Sequence, residues 1–105
     1  MLYLTTCELV GGYPVAAEQW LELVLAGMEQ VLALREQGKI VQHVCFAGRQ
    51  AGAILWDVES NNELQTLLAA LPFWPFMEWE IVPVITTEQS IESLKTALAA
   101  VRGNG

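Results

Sequence analysis

Two acids, Glu78 and Glu80 in MEWEIVPVI (77–85), and one histidine, His43 in IVQHVCFA (40–47), are the side chains best suited to moving a proton. On a strand Glu78 and Glu80 share a face about 7 Å apart, and if buried together one of them has its pKa raised and can act as a base. On an edge strand the same acids instead discourage edge-to-edge pairing. His43 shares its strand face with Val41, Cys45 and Ala47, and no carboxylate or cysteine stands at a ligand spacing from it. It is either a base or a satisfied core or interface histidine.

Around these lie candidate binding groups. Tyr3, Thr5 and Cys7 alternate along the first strand and offer hydroxyls and a thiol to a pocket, or fill the sheet. Trp20, Trp56, Trp74 and Trp79 supply enough aromatic surface for a ligand cage, or for a core. Tyr3, Trp56, Phe76 and Trp79 are the candidate pocket lining. Arg49, in the turn GRQAG, suits a carboxylate, although a lone arginine in a polar turn is usually solvated. That turn lacks the glycines and lysine of a phosphate loop. Cys7 and Cys45 show no metal spacing and read as free thiols, so neither metal nor cofactor is expected.

Composition narrows the partners. A net charge of −7, with Arg35, Lys39, Arg49, Lys95 and Arg102 spread singly, leaves nothing to neutralise phosphates. Nucleic acid and anionic membrane are therefore not expected. The amino terminus has no basic stretch and no apolar run nears the roughly 20 residues of a membrane span, which predicts a soluble cytoplasmic protein. Apolar residues make up 53% without counting glycine, against roughly 45 to 50% with glycine in an average domain. A subunit interface or internal cavity should absorb the excess, since a domain this small leaves about a third of its unfolded surface exposed.

The elements that must position these groups follow from turn signals. Residues 1–10 suit a strand ending at Gly11 and Gly12, and a helix runs from Pro14 to about Gln37, closed by Gly38. In it Trp20, Leu23, Val24, Gly27, Val31 and Leu34 form one apolar face. Leu21, Leu25, Met28 and Leu32 form a second stripe that needs a neighbouring helix or another subunit. Strands at 40–47 and 53–58 flank the hairpin turn. Ser60 and Glu63 form a capping box for a helix that Pro72 stops, and residues 77–85 make the fourth strand, with Pro83 marking a sheet edge. A last helix runs from near Glu88 to Val101, capped by Thr86 and Gln89 and striped by Ile91, Leu94, Leu98 and Val101, before an RGNG tail expected to fray.

This β-α-β-β-α-β order is the ferredoxin-like plan, with the first and third strands central by analogy. That keeps Cys7 and Cys45 about 10 Å apart, beyond disulfide reach. Residues 1–87 form the subunit and 88–105 an added helix and tail, which either docks on a neighbouring subunit or lids the barrel mouth.

From about Leu34 to Val84 the chain resembles the muconolactone isomerase family. The residues that carry the likeness are Gly38, Ala47-Gly48, Trp56-Asp57-Val58, Glu63-Leu64 and, above all, Leu71-Pro72 followed by Trp74-Pro75-Phe76-Met77-Glu78 and Glu80. The resemblance implies a dimeric α+β barrel, in which two sheets pair face to face and dimers join into larger rings. It implies proton-transfer isomerisation of a lactone, with a base beside the substrate and a donor for the developing oxyanion. The family's polar first-helix positions fall here on Ala26, Gly27 and Met28, and its first-strand histidine on Leu4. Three functions follow as expectations: an isomerase of a small cyclic or aromatic-derived acid with catalysis moved to Glu80, Glu78 or His43; a non-catalytic homo-oligomer binding a small apolar or lactone ligand; and, last, a cofactor-free monooxygenase.

Overall fold

Four strands, β1 (Leu2–Glu8), β2 (Ile40–Cys45), β3 (Ala51–Asp57) and β4 (Glu78–Val84), form one antiparallel sheet in the order β2-β3-β1-β4. Helices α1 (Ala17–Glu36) and α2 (Asn61–Ala69) cover one face, and α3 (Thr87–Asn104) follows β4. The computed structural model describes residues 1–104, the last of these by its backbone alone. The architecture is the expected α+β, ferredoxin-like one, with β1 and β3 central and Pro83 on an edge strand.

Local chemistry sets the boundaries. Gly38 takes a left-handed φ of 79° after α1, where its N–H bonds Arg35 O and the Lys39 N–H bonds Leu34 O. That pair of bonds is the Schellman closure that favours glycine. Ser60 Oγ accepts from the Glu63 N–H at 3.0 Å as expected, but Glu63 returns its bond to the Glu59 N–H instead of closing on Ser60, and also holds Lys39 at 3.1 Å. Gly48, at φ 77°, turns the β2–β3 hairpin. Thr86 and Gln89 cap α3 reciprocally. That helix runs through Asn104 and so includes most of the tail expected to fray; Gly105 lies outside the described residues.

The core sits between the sheet and α1/α2. Tyr3 and Thr5 of β1, Ile54 and Trp56 of β3, Trp20 and Val31 of α1, and Leu64 and Leu68 of α2 are all buried. Of the two stripes on α1, the first is the one inside: Leu21, Leu25 and Leu32 of the second are exposed. The aromatic run after α2 ties the two helices together. Gly27 leaves a notch on α1 that the Phe73 ring fills so closely that a Cβ there would overlap it. Phe76 meets the Trp20 ring edge-on at 6.0 Å.

Candidate functional site

Alternation along the strands decides which groups can meet. Tyr3, Thr5 and Cys7 of β1 lie opposite Trp56, Ile54 and Gly52 of β3, and Gly52 in turn lies opposite Cys45 of β2. Gly52 therefore stands between the two thiols on the covered face, with no side chain of its own. A Cβ there would come within 2.9 Å of Val44 O and 3.7 Å of His43 Nε2. This bare spot is the floor of a cleft of about 200 Å³ at the β2–β3 end of the sheet. Cys7, His43 and Cys45 line it from the sheet, Trp20, Val24 and Met28 from α1, Arg49 and Gln50 from the hairpin, and Phe73 and Met77 from the aromatic run.

The polar groups around the cleft are few and mostly neutral. Burial lowers the His43 pKa below its ordinary 6.5, and the Arg35 charge lowers it further, so at neutral pH it is an imidazole with a free lone pair. Its Nε2 lies 3.8 Å from Cys45 Sγ, a weak contact that a ligand can displace. Burial pushes the Cys7 thiol up to about 11; a Gly52 backbone hydrogen bond opposes that shift and Cys45 adds a smaller push. Cys7 is thus a protonated thiol and no nucleophile at neutral pH. Gln50 Oε1 accepts from Trp20 Nε1 at 3.5 Å, which leaves its amide protons to offer. Arg49 does bind a carboxylate in two places, but the carboxylate is Glu8 (2.6 and 3.3 Å), and its guanidinium also lies 5.4 Å above the Phe46 ring.

The structure separates the sequence candidates. His43 lies in the cleft, half-buried. Glu78 and Glu80 are exposed on the opposite face of the sheet and on its other edge strand, aligned with Glu8 and Thr6 of β1. There they border a wider, more open depression of about 580 Å³ with Trp79 and Phe46. Of the four expected pocket aromatics none lines the cleft. Tyr3 is buried with its hydroxyl bonded to Asn61, and Trp56 is buried with Nε1 donating to Thr5 Oγ1 at 2.9 Å. Trp79 donates to Trp74 O at 3.0 Å and stacks at 6.2 Å behind Phe73, so it supports the cleft wall without forming it. Phe76 packs on Trp20. Cys7 and Cys45 are free thiols, as expected.

Gly52, Gln50 and Phe73 were not singled out for this role. Glycine in a strand interior is the one available signal, since it often marks close approach of another group.

A four-stranded antiparallel sheet with two helices on one face, and a small cleft between the first helix and the hairpin end, defines a ferredoxin-like α+β subunit. The family follows from comparison: the muconolactone delta-isomerase family model matches residues 1–90, and the chain belongs to that family. The muconolactone delta-isomerase of Cupriavidus pinatubonensis is 30% identical over 91 residues, covering 87% of this chain and 99% of that protein. A crystal structure of muconolactone isomerase superposes with a TM-score of 0.73 at 22% identity, over 82% of this chain and 90% of the other. A 5-chloro-2-hydroxyhydroquinone dehydrochlorinase from Burkholderia phenoliruptrix shares the fold with a TM-score of 0.63 at 15% identity, over 85% and 98%. The family match reaches back through β1 and α1, well before the motif block at 34–84, and ends inside α3.

Proposed function

We propose that this protein is a proton-transfer isomerase of a small unsaturated lactone or cyclic acid, working in the cleft under α1 with His43 as the base. The observation that carries the reading is a neutral imidazole in the cleft of a member of the isomerase family. Nε2 removes a proton from a ring carbon conjugated to the carbonyl. The electrons pass to the carbonyl oxygen, and the proton returns to another carbon of the same dienolate, so the double bond moves and nothing is lost. Donors for the oxyanion are the Gln50 amide and the Arg49 N–H groups not taken by Glu8. The volume suits one small ring with a short side chain. The position of Met28 and Val24 at the cleft fits catalysis displaced from the first helix to β2.

The subunits pair through the bare face of the sheet in this reading, where Leu4, Val44 and Val82 are exposed. Light scattering at micromolar concentration should give at least a dimer mass, and a monomer mass would sink that pairing.

The activity test is the change in lactone absorbance on mixing with muconolactone, beside an authentic isomerase. Turnover present in the wild type, retained by Glu80→Gln and abolished by His43→Gln is expected. Turnover lost only in Glu80→Gln moves the base to the other face of the sheet. A second reading, a non-catalytic barrel binding a small apolar molecule, is favoured by the apolar cleft walls. It predicts no turnover and a ligand affinity that does not change with pH.

A further inference from the structure

The last helix and the outer side of the first carry matching seams that the subunit itself does not join. On α1, Leu21, Leu25, Met28 and Leu32 recur at spacings of four, three and four, with Met28, half-buried at the cleft wall, the inner edge of the stripe. On α3, Ile91, Leu94, Leu98 and Val101 recur at three, four and three. Both patterns are the a/d repeat of a two-helix coiled coil, and they span about 16 and 15 Å at 1.5 Å per residue. Leu21, Leu25 and Leu32 are exposed, and so are all four seam residues of α3.

The helix is also held away from its own body. Only two residues, Ile85 and Thr86, separate it from β4, and the Thr86–Gln89 caps fix its exit. The radius of gyration is 17.8 Å, against about 13 Å for a compact chain of this length. Of the described residues in α3 only Ser90 is even half-buried.

We infer that α3 of one copy packs antiparallel along the outer stripe of α1 in a second copy. The flanking charges choose the direction. Beside the α1 seam the e positions are Glu22, Glu29 and Glu36; beside the α3 seam they include Lys95 and Arg102. In antiparallel packing e faces e, which sets Lys95 by Glu29 and Arg102 by Glu22. The opposite flank of the α1 seam, Val24 and Val31, is turned into its own subunit, Val31 in the core and Val24 at the cleft, so the direction is chosen on the glutamate side. Parallel packing would put e opposite g, take Lys95 and Arg102 away from the glutamates and leave Glu22 and Glu29 without partners. One pairing runs the other way: Glu88 comes beside Glu36, at the end of the seam.

Charge complementarity and matched length therefore point to a second copy of this chain as the occupant. An exchange of this kind would link subunits through a surface other than the sheet, using a helix that lies mostly beyond the family match.

The test is disulfide trapping in a Cys45→Ser background, with Leu25→Cys in one copy and Val101→Cys in an isotope-labelled copy. Both positions are open, 61% and 70% exposed, so the variants should fold as the parent does. A mixed dimer carrying a 25–101 disulfide on mild oxidation is expected, with none from Leu25→Cys mixed with Ile91→Cys. Efficient 25–91 trapping overturns the antiparallel direction. Absence of mixed dimer, with a 25–101 bond forming inside one chain of the double variant or nowhere, overturns the exchange.

Discussion

On the covered face of the sheet, β1 contributes Tyr3, Thr5 and Cys7, all buried; on the bare face the same strand contributes Leu2, Leu4, Thr6 and Glu8. The covered face holds the imidazole, both thiols and the Gly52 gap between them. The bare face holds Glu8, Glu78 and Glu80 beside the aliphatic Leu4, Val44 and Val82. Strand alternation thus divides one pool of polar residues into a sheltered group, in which burial shifts the protonation of His43 and Cys7, and a wet group, in which Glu8 is paired with Arg49. A residue's chemistry is set here by the parity of its position as much as by its type.

The largest expected effect of breaking that division is on stability. Trp56→Ala removes a fully buried indole and strands the Thr5 hydroxyl, so it should cost about 3 to 5 kcal/mol in urea unfolding. Leu4→Ala on the bare face should cost under about 1 kcal/mol within the subunit. The two losses should also respond differently to protein concentration. If the bare faces pair, the Leu4→Ala loss is largest where the wild type is dimeric and shrinks toward its small within-subunit value on dilution, while the Trp56→Ala loss does not change in this way.

Gly27→Ala should act next most strongly, because it attacks the wall between the two helices. The new methyl overlaps Phe73, whose ring is held in place by Trp79 stacked behind it. Overpacking of this kind costs about 1 to 3 kcal/mol, and the better helix propensity of alanine returns about 1. A net loss of up to about 2 kcal/mol is expected by urea unfolding. Weaker binding of any cleft ligand should accompany it as Phe73 shifts. A net gain in stability would mean the notch is slack.

These positions also show what the sequence made legible. Element order, the edge place of β4, the buried α1 face and the helix caps all rest on periodicity and turn chemistry, which are local. The cleft rests on register. Whether His43 and Glu80 share a face depends on how β2 and β4 are phased against β3 and β1, and β2 carries an irregularity between Ile40 and Gln42 that puts Ile40 and His43, three residues apart, on the same face. Tyr3 and Trp56 were expected at a pocket because large aromatics suit either place. Their burial follows from central strands under both helices, a fact of topology. From the aromatic run Phe76 and Trp79 were expected at the pocket; the missing side chain at Gly27 admits the Phe73 ring there instead.

The smallest effect is the pH response of the sheltered group. Because the folded pKa of His43 is below 6.5, the unfolded chain binds a proton near that pH that the folded chain still refuses. Stability from this source is complete above about pH 6.5 and is lost as the pH falls toward the folded value. Glu63, a carboxylate held below its ordinary 4.5 by the Glu59 N–H first and Lys39 second, loses its share only at lower pH and leaves this window clear. Urea midpoints at pH 7.5 and 5.5 should therefore differ more in the wild type than in His43→Gln. Equal slopes in the wild type and His43→Gln would mean that the imidazole titrates as freely as in water, and the sheltered face would lose its claim to a tuned base.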